Sequence, residues 1–167
     1  ALERAHAISV VVFDKTGTLT EGRPALTAAL PVAADDPGAR AALLAASAAL
    51  QSGSEHPLAR AVLAAAAAEG VVVPAASGLR AVAGKGMAGR VGSRELRLGS
   101  GAWLRELGLD AGPLAVEAER HAADGHSVSW LVDVSDAAAP VLLGLLAFGD
   151  TLKPDARAAV ARLHALG

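Results

Sequence analysis

The sequence predicts a mixed α/β fold of the α+β kind, an antiparallel sheet flanked by helices, with a shorter α/β segment at either end of the chain. Three observations carry this. Ile8-Ser9-Val10-Val11-Val12-Phe13 is a short apolar, mostly β-branched run that stops at Asp14. Such a run reads as a buried strand, parallel where both of its faces are covered. Two Ala- and Leu-rich stretches follow helix-start signals at Asp35-Asp36-Pro37-Gly38 and at Pro57. Between residues 90 and 98, the Gly92-Ser93 pair separates two strand-like segments, and Leu96 and Leu98 alternate cleanly, which is the pattern of a β-hairpin.

Composition narrows the function classes. The 167 residues suffice for one domain, or for one domain and part of another. The net charge is −2 with both signs interspersed, so no basic face for nucleic acid or for an anionic membrane emerges. There is no Cys, which excludes a disulfide framework and any thiolate metal site. The longest apolar run, residues 137–148, is broken by Pro140 and Gly144 and falls short of the roughly 20 residues that a spanning helix needs. Neither a secretory leader nor a repeat is visible, and the chain reads as a soluble segment.

The remaining elements follow in order. Ala1 to Ala7 has helical composition and leads into the first strand. Glu21-Gly22-Arg23-Pro24 is a turn cluster, and 25–32 reads as a strand. Asp35 and Asp36 suit the positive end of a helix, Pro37 suits its first turn, and the helix runs through Leu43, Leu44 and Leu50 to Gln51. Pro57 opens a second helix that continues to Glu69 and is closed by Gly70. A helix follows Ser100 through Trp103, Leu104 and Leu107, and another covers 113–123. Residues 127–134 and 141–148 read as strands joined by a turn near Asp136, and a closing helix carries Val160, Leu163 and Leu166. Trp103 and Trp130 read as core. His121, His126 and His164 lie on different elements without metal-ligand spacing.

The chemistry gathers at Asp14-Lys15-Thr16-Gly17-Thr18-Leu19-Thr20. Read alone, Asp14 is a turn residue after a strand. A carboxylate at a strand's carboxyl edge, with a tight Gly17 turn and Thr hydroxyls beside it, also suits phosphate chemistry. The unbroken D-K-T-G-T-L-T string resembles the phosphorylation motif of P-type ATPases, a branch of the haloacid-dehalogenase-like superfamily. The resemblance implies that Asp14 attacks the γ-phosphate of ATP, that Asp14 and the Thr16 carbonyl hold Mg²⁺, and that Thr18 contacts the phosphoryl group within a catalytic loop that includes Lys15. An Asp is ionised at neutral pH and needs no general base for such an attack, though it needs cations. Soluble phosphatases of the superfamily carry a second Asp where Thr16 stands; without it, the acyl phosphate is not hydrolysed at once.

Ser54-Glu55-His56-Pro57-Leu58-Ala59 is the second stretch. In isolation, a Glu-His pair in a loop is ordinary solvated surface. The string is similar to the nucleotide-domain motif of heavy-metal-transporting P-type ATPases, which implies that His56 orients the nucleotide and Glu55 hydrogen-bonds the adenine. Gly84-Lys85-Gly86-Met87-Ala88-Gly89 has the form of a dinucleotide fingerprint but precedes a hairpin rather than a helix, so that reading is rejected. It is either a glycine-rich start to the hairpin or, as in the resembled family, a G-x-G segment whose Gly84 and Gly86 let nucleotide lie against backbone, with Met87 as the following aliphatic contact. Gly99-Ser100 takes the place of the family's Gly-Asn, keeping a hydroxyl and losing the amide. Asp150-Thr151-Leu152-Lys153-Pro154 resembles the segment by which the chain returns to the phosphorylation domain, with Asp150, Lys153 and Pro154 as a hinge.

The resemblance spans essentially the whole chain. It implies a nucleotide-binding domain over 26–148, and an incomplete haloacid-dehalogenase-like phosphorylation domain split between 1–25 and 149–167. The family's later T-G-D and G-D-G-x-N-D motifs, its transmembrane metal site and its dephosphorylating domain lie outside this sequence. The implied parent is an ATP-driven heavy-metal pump of the copper(I)-exporting kind, using ATP and Mg²⁺, with this part on the cytoplasmic face of a bacterial inner membrane. The alternatives are a zinc or cadmium exporter, and a soluble phosphohydrolase of the same superfamily.

Overall fold

The computed structural model describes residues 10–165, apart from the side chains of Lys15, Thr16 and Thr151. The chain forms two compact units: residues up to Arg23 with those from Asp150 on, and Pro24–Gly149 between them. The elements are β1 (Thr20–Pro31), α1 (Ala39–Gln51), α2 (Pro57–Ala68), β2 (Ala76–Val82), β3 (Gly86–Val91), β4 (Arg94–Gly99), α3 (Gly101–Glu106), α4 (Ala115–Ala123), β5 (Ser127–Asp133), β6 (Val141–Leu152) and α5 (Ala156–Ala165). None of the described helices is long and apolar enough to cross a membrane.

In the unit 24–149, the strands lie in the order β1-β6-β5-β4-β3-β2, and the four registered pairs from β2 to β6 are antiparallel. Met87 lies opposite Leu98, and Leu98 opposite Leu131, so these three share one face of the pleat. On that face, Leu96, Leu98, Leu131, Leu146 and Phe148 are buried with Leu43, Leu44 and Leu50 of α1 and Val62 of α2. The opposite face buries Trp130, Val132, Leu145 and Ala147 with Leu104 and Leu114. Helices thus cover the sheet on both sides. Gly144 shows how closely its neighbours pack: a Cβ there would stand 2.6 Å from the Leu30 carbonyl oxygen of β1 and 2.7 Å from Leu43 Cδ2 of α1.

The hairpin forms as the sequence predicts, with Arg90 opposite Glu95 and Gly92 at φ +60° in the turn. Both tryptophans are buried. Other expectations are corrected. Within the expected first strand, residues 10–13 are irregular; Val10 is 74% and Val12 88% exposed. A strand buried on both faces needs neighbours to pair with and layers to cover it, and the described residues offer this run neither. Ile8 and Ser9, with the expected helix over 1–7, lie outside the described residues. Pro37 belongs to a turn before α1 rather than to its first helical turn, and Gly38 is the N-cap. Asp36 Oδ1 accepts the Gly38 N–H at 2.9 Å there, so this carboxylate folds the turn instead of capping the helix. The helix expected over 113–123 divides into a 3₁₀ turn, Gly112–Leu114, and α4. β2 has no counterpart in the sequence reading. His121 and His126, separate in sequence, meet with Nδ1 atoms 3.1 Å apart.

In the other unit, β6 extends to Leu152, so Asp150 stands within a strand rather than after one. Its carboxylate accepts the Gly22 and Arg23 N–H groups at 3.1 Å each. Lys15–Leu19 forms a single π-helical turn with Gly17 at φ +77°. The Lys153 N–H donates to the Leu19 carbonyl at 2.9 Å, and its ammonium to the Gly17 carbonyl at 2.6 Å.

Candidate functional site

The corner between α1 and α2 sets the first wall of a cleft in the unit 24–149. α1 ends at Gln51, where the Ser52 hydroxyl caps the Ala49 carbonyl at 2.9 Å. His56 precedes Pro57 and is extended, at φ −59° and ψ 141°, as a residue before proline prefers. It is the N-cap of α2: its Nδ1 accepts the Leu58 N–H at 3.2 Å, while its own N–H donates to Ser54 Oγ at 3.3 Å.

The facing wall is the turn between β2 and β3 and the end of β4. Gly84 sits at φ +69°, with open space where a Cβ would go. Gly86 and Gly99 lack that space. A Cβ on Gly86 would lie 2.1 Å from the Leu98 carbonyl oxygen, and one on Gly99 would lie 2.2 Å from the Lys85 carbonyl oxygen. The close approach of β3 to β4 therefore requires glycine at both positions before any ligand is considered. Ser100 Oγ accepts the Trp103 N–H at 3.4 Å and caps α3.

Between these walls lies a cleft of about 380 Å³, within the usual range for small-molecule sites. It is lined by Gln51, Ser54, His56 and Leu58; by Ala81, Lys85, Gly86 and Met87; by Leu98, Gly99 and Ser100; and by Ser127, Val128, Ser129 and Phe148. Five residues singled out in the sequence, His56, Gly86, Met87, Gly99 and Ser100, thus share one cavity. Glu55 is exposed beside His56, Gly84 is exposed beside Lys85, and neither lines the cleft. Sequence reasoning missed Gln51, whose buried Oε1 has no hydrogen-bond partner, and also Ser127 and Ser129. The alternation of the two serines along β5 was a visible signal. Gln51 gave none beyond standing just ahead of the Ser54–Ala59 motif.

In the other unit, Asp14 and Thr18 are exposed at the start of the Lys15–Leu19 turn and within it. The Gly17 N–H donates to Thr20 Oγ1 at 3.2 Å, which folds the loop back on itself. The side chains of Lys15 and Thr16 lie outside the described residues. No group of three His, Cys, Asp or Glu residues among those described is arranged to hold a metal ion. Mg²⁺ takes six oxygen ligands, and Asp14 is a single exposed carboxylate, so the described residues of this unit do not by themselves form a site for that ion.

A family profile described as haloacid dehalogenase-like hydrolase matches residues 8–167. The chain belongs to that family. Among proteins similar to this haloacid-dehalogenase-like chain is a copper-transporting P-type ATPase of Rhizobium leguminosarum bv. viciae, 40% identical over 167 residues. It matches the whole of this chain and 19% of its own length. A copper-exporting P-type ATPase of Bacillus subtilis (strain 168) is 36% identical over 166 residues, 99% of this chain and 20% of its own length. The chain therefore spans about a fifth of the length of these relatives. Among solved structures, a zinc-transporting PIB-type ATPase in its E2·Pi state superposes with a TM-score of 0.70 at 32% identity, over 93% of this chain and 24% of that one.

Proposed function

We propose that this chain is the nucleotide-binding part, with adjoining segments of the phosphorylation domain, of an ATP-driven copper-exporting pump, and that the cleft takes the ATP. The observation that carries the reading is the cleft itself: it joins the residues of the Ser54–Ala59 motif to those of the Gly84–Gly89 and Gly99-Ser100 segments, which lie far apart in sequence. With Nδ1 accepting from Leu58, a neutral His56 carries its hydrogen on Nε2 and is a donor there. Gln51 Oε1 is a buried acceptor in want of a donor, and an exocyclic amine on a base would satisfy it. Met87, Leu98, Val128 and Phe148 supply an apolar surface for a ring.

In the longer protein, Asp14 takes the γ-phosphoryl group: its oxygen bonds to phosphorus, the bond to the bridging oxygen breaks, and ADP leaves. Mg²⁺ supplies charge neutralisation at that step when bound, and Asp14 is the carboxylate in this chain that would hold it. The reading places this part of the protein on the cytoplasmic side of a membrane. Transport of zinc is the second reading, supported by the 32% identical zinc-transporting structure.

Two experiments test this. Titration of the ¹⁵N-labelled chain with ATP is expected to shift the amides of residues 54–56, 84–87 and 99–100 at millimolar ligand; unmoved signals there would refute the cleft. Incubation of the longer protein with radiolabelled ATP, Mg²⁺ and either Cu⁺ or Zn²⁺ is expected to give a hydroxylamine-sensitive label with copper. An Asp14→Asn variant that still forms acyl phosphate would exclude Asp14 as acceptor, and labelling with zinc alone would favour the second reading.

A further inference from the structure

Lys85 is held on an unusually constrained piece of backbone. Its N–H donates to the Val82 carbonyl at 3.0 Å, and its carbonyl accepts the Ser100 N–H at 2.9 Å. The missing Cβ of Gly99 leaves room for that same carbonyl. The stem of the side chain therefore starts from a fixed point on the cleft wall. At its far end the ammonium pairs with the carboxylate of Glu106, the last residue of α3. Both partners are partly open to solvent, at 37% and 53% exposure, and an ion pair of that kind contributes little to holding a fold together.

The charge inventory of the cleft gives this pair its meaning. Among the described residues that line it, Lys85 is the sole Lys or Arg, and no Asp or Glu is present. The remaining polar groups are hydroxyls, the Gln51 amide and the His56 imidazole. A nucleotide has an uncharged base and a polyanionic phosphate tail. The uncharged polar groups and the apolar wall suit the base, whereas the tail needs a cation, since charge-assisted hydrogen bonds are the ones that hold phosphate oxygens firmly.

Resting on the nucleotide reading above, we infer that Lys85 is the phosphate-recognising residue of the cleft, and that Glu106 is its resting partner, displaced when the phosphates arrive. The carboxylate of Glu106 and the phosphate tail compete for one ammonium group. Glu106 thereby lowers the affinity of the cleft for anionic ligands and leaves its affinity for an uncharged nucleoside untouched.

The test is calorimetric titration of the whole chain with ATP and with adenosine, with fold integrity followed by circular dichroism. Lys85→Gln is expected to weaken ATP about tenfold, as the loss of one charge-assisted hydrogen bond implies, with adenosine unchanged within twofold and ATP affinity restored in Lys85→Arg. Glu106→Gln is expected to tighten ATP several-fold at low ionic strength, a gain that fades with added salt, again without effect on adenosine. Equal losses for ATP and adenosine in Lys85→Gln, or no loss for either, would overturn the assignment of Lys85. Weaker ATP binding in Glu106→Gln would overturn the competition. Failure of both ligands to bind the unsubstituted chain would instead overturn the nucleotide reading on which the inference stands.

Discussion

His56 accepts the backbone N–H of Leu58 through Nδ1, and so one imidazole both starts α2 and faces the cleft. Replacing it by Ala removes both roles, and the two losses can be read separately. Loss of the Nε2 donor is expected to weaken ATP by about 1–2 kcal/mol. Loss of the cap is expected to cost about 0.5–2 kcal/mol of stability. Parallel ATP titrations and thermal melts measure the two effects, and undiminished ATP affinity in a folded variant would remove His56 from the site.

The glycines flanking Lys85 are expected to respond unequally. Gly84→Ala meets open space and only the strain of a positive φ, about 1–2 kcal/mol. Gly86→Ala adds a collision with the Leu98 carbonyl and is expected to cost about 2–4 kcal/mol. Denaturant melts of the two variants would show this order; equal losses would mean that β3 and β4 can part without penalty.

Asp133 supplies a pH signature. Burial pushes its carboxyl pKa up, but hydrogen bonds from the Ser135 hydroxyl and N–H, together with the Arg94 guanidinium, outweigh that and hold it below the ordinary carboxylate range. A depressed pKa in the folded state stabilises the fold at pH values above the unfolded-state value, and this contribution disappears as pH falls through the folded-state value. Asp133→Asn is therefore expected to melt lower than the parent at neutral pH, with the gap closing as the medium is acidified below the usual Asp range. A gap independent of pH would show that the partners of Asp133 act only through its shape.

Asp150 is the local clamp for Gly22 and Arg23. In Asp150→Ala, the amides of those two residues are expected to lose about tenfold of their hydrogen-exchange protection, in keeping with about 1–2 kcal/mol for each charge-assisted bond. Unchanged protection there would mean that the strand pairing alone holds this stretch.

Much of this architecture was legible because it rests on local signals. The Gly92-Ser93 turn, the proline that opens α2 and the Leu spacing of α1 each act over a few residues. What was illegible depends on neighbours distant in sequence. β2 carries a register irregularity between Ser77 and Arg80 and presents no clean alternation. Val10 to Phe13 has the composition of a buried strand, but composition cannot supply the strands it would pair with. In the cleft, the motif strings pointed to His56, Gly86 and Ser100. Gln51 matters only because folding buries its amide oxygen without a partner.

The strand order has a consequence for how the molecule assembles. β1 and β6 are neighbours in the sheet, and Thr27 Oγ1 donates to the Ala147 carbonyl across 120 residues of chain. The hairpins β2–β3–β4 and β5–β6 close short loops, while β1 can find its place only after one very long loop has closed, and the entropy of loop closure rises with length. The strand that comes first in the chain is thus expected to dock late. In pulse-labelled refolding, the amides of β3 and β4 would be protected before those of β1.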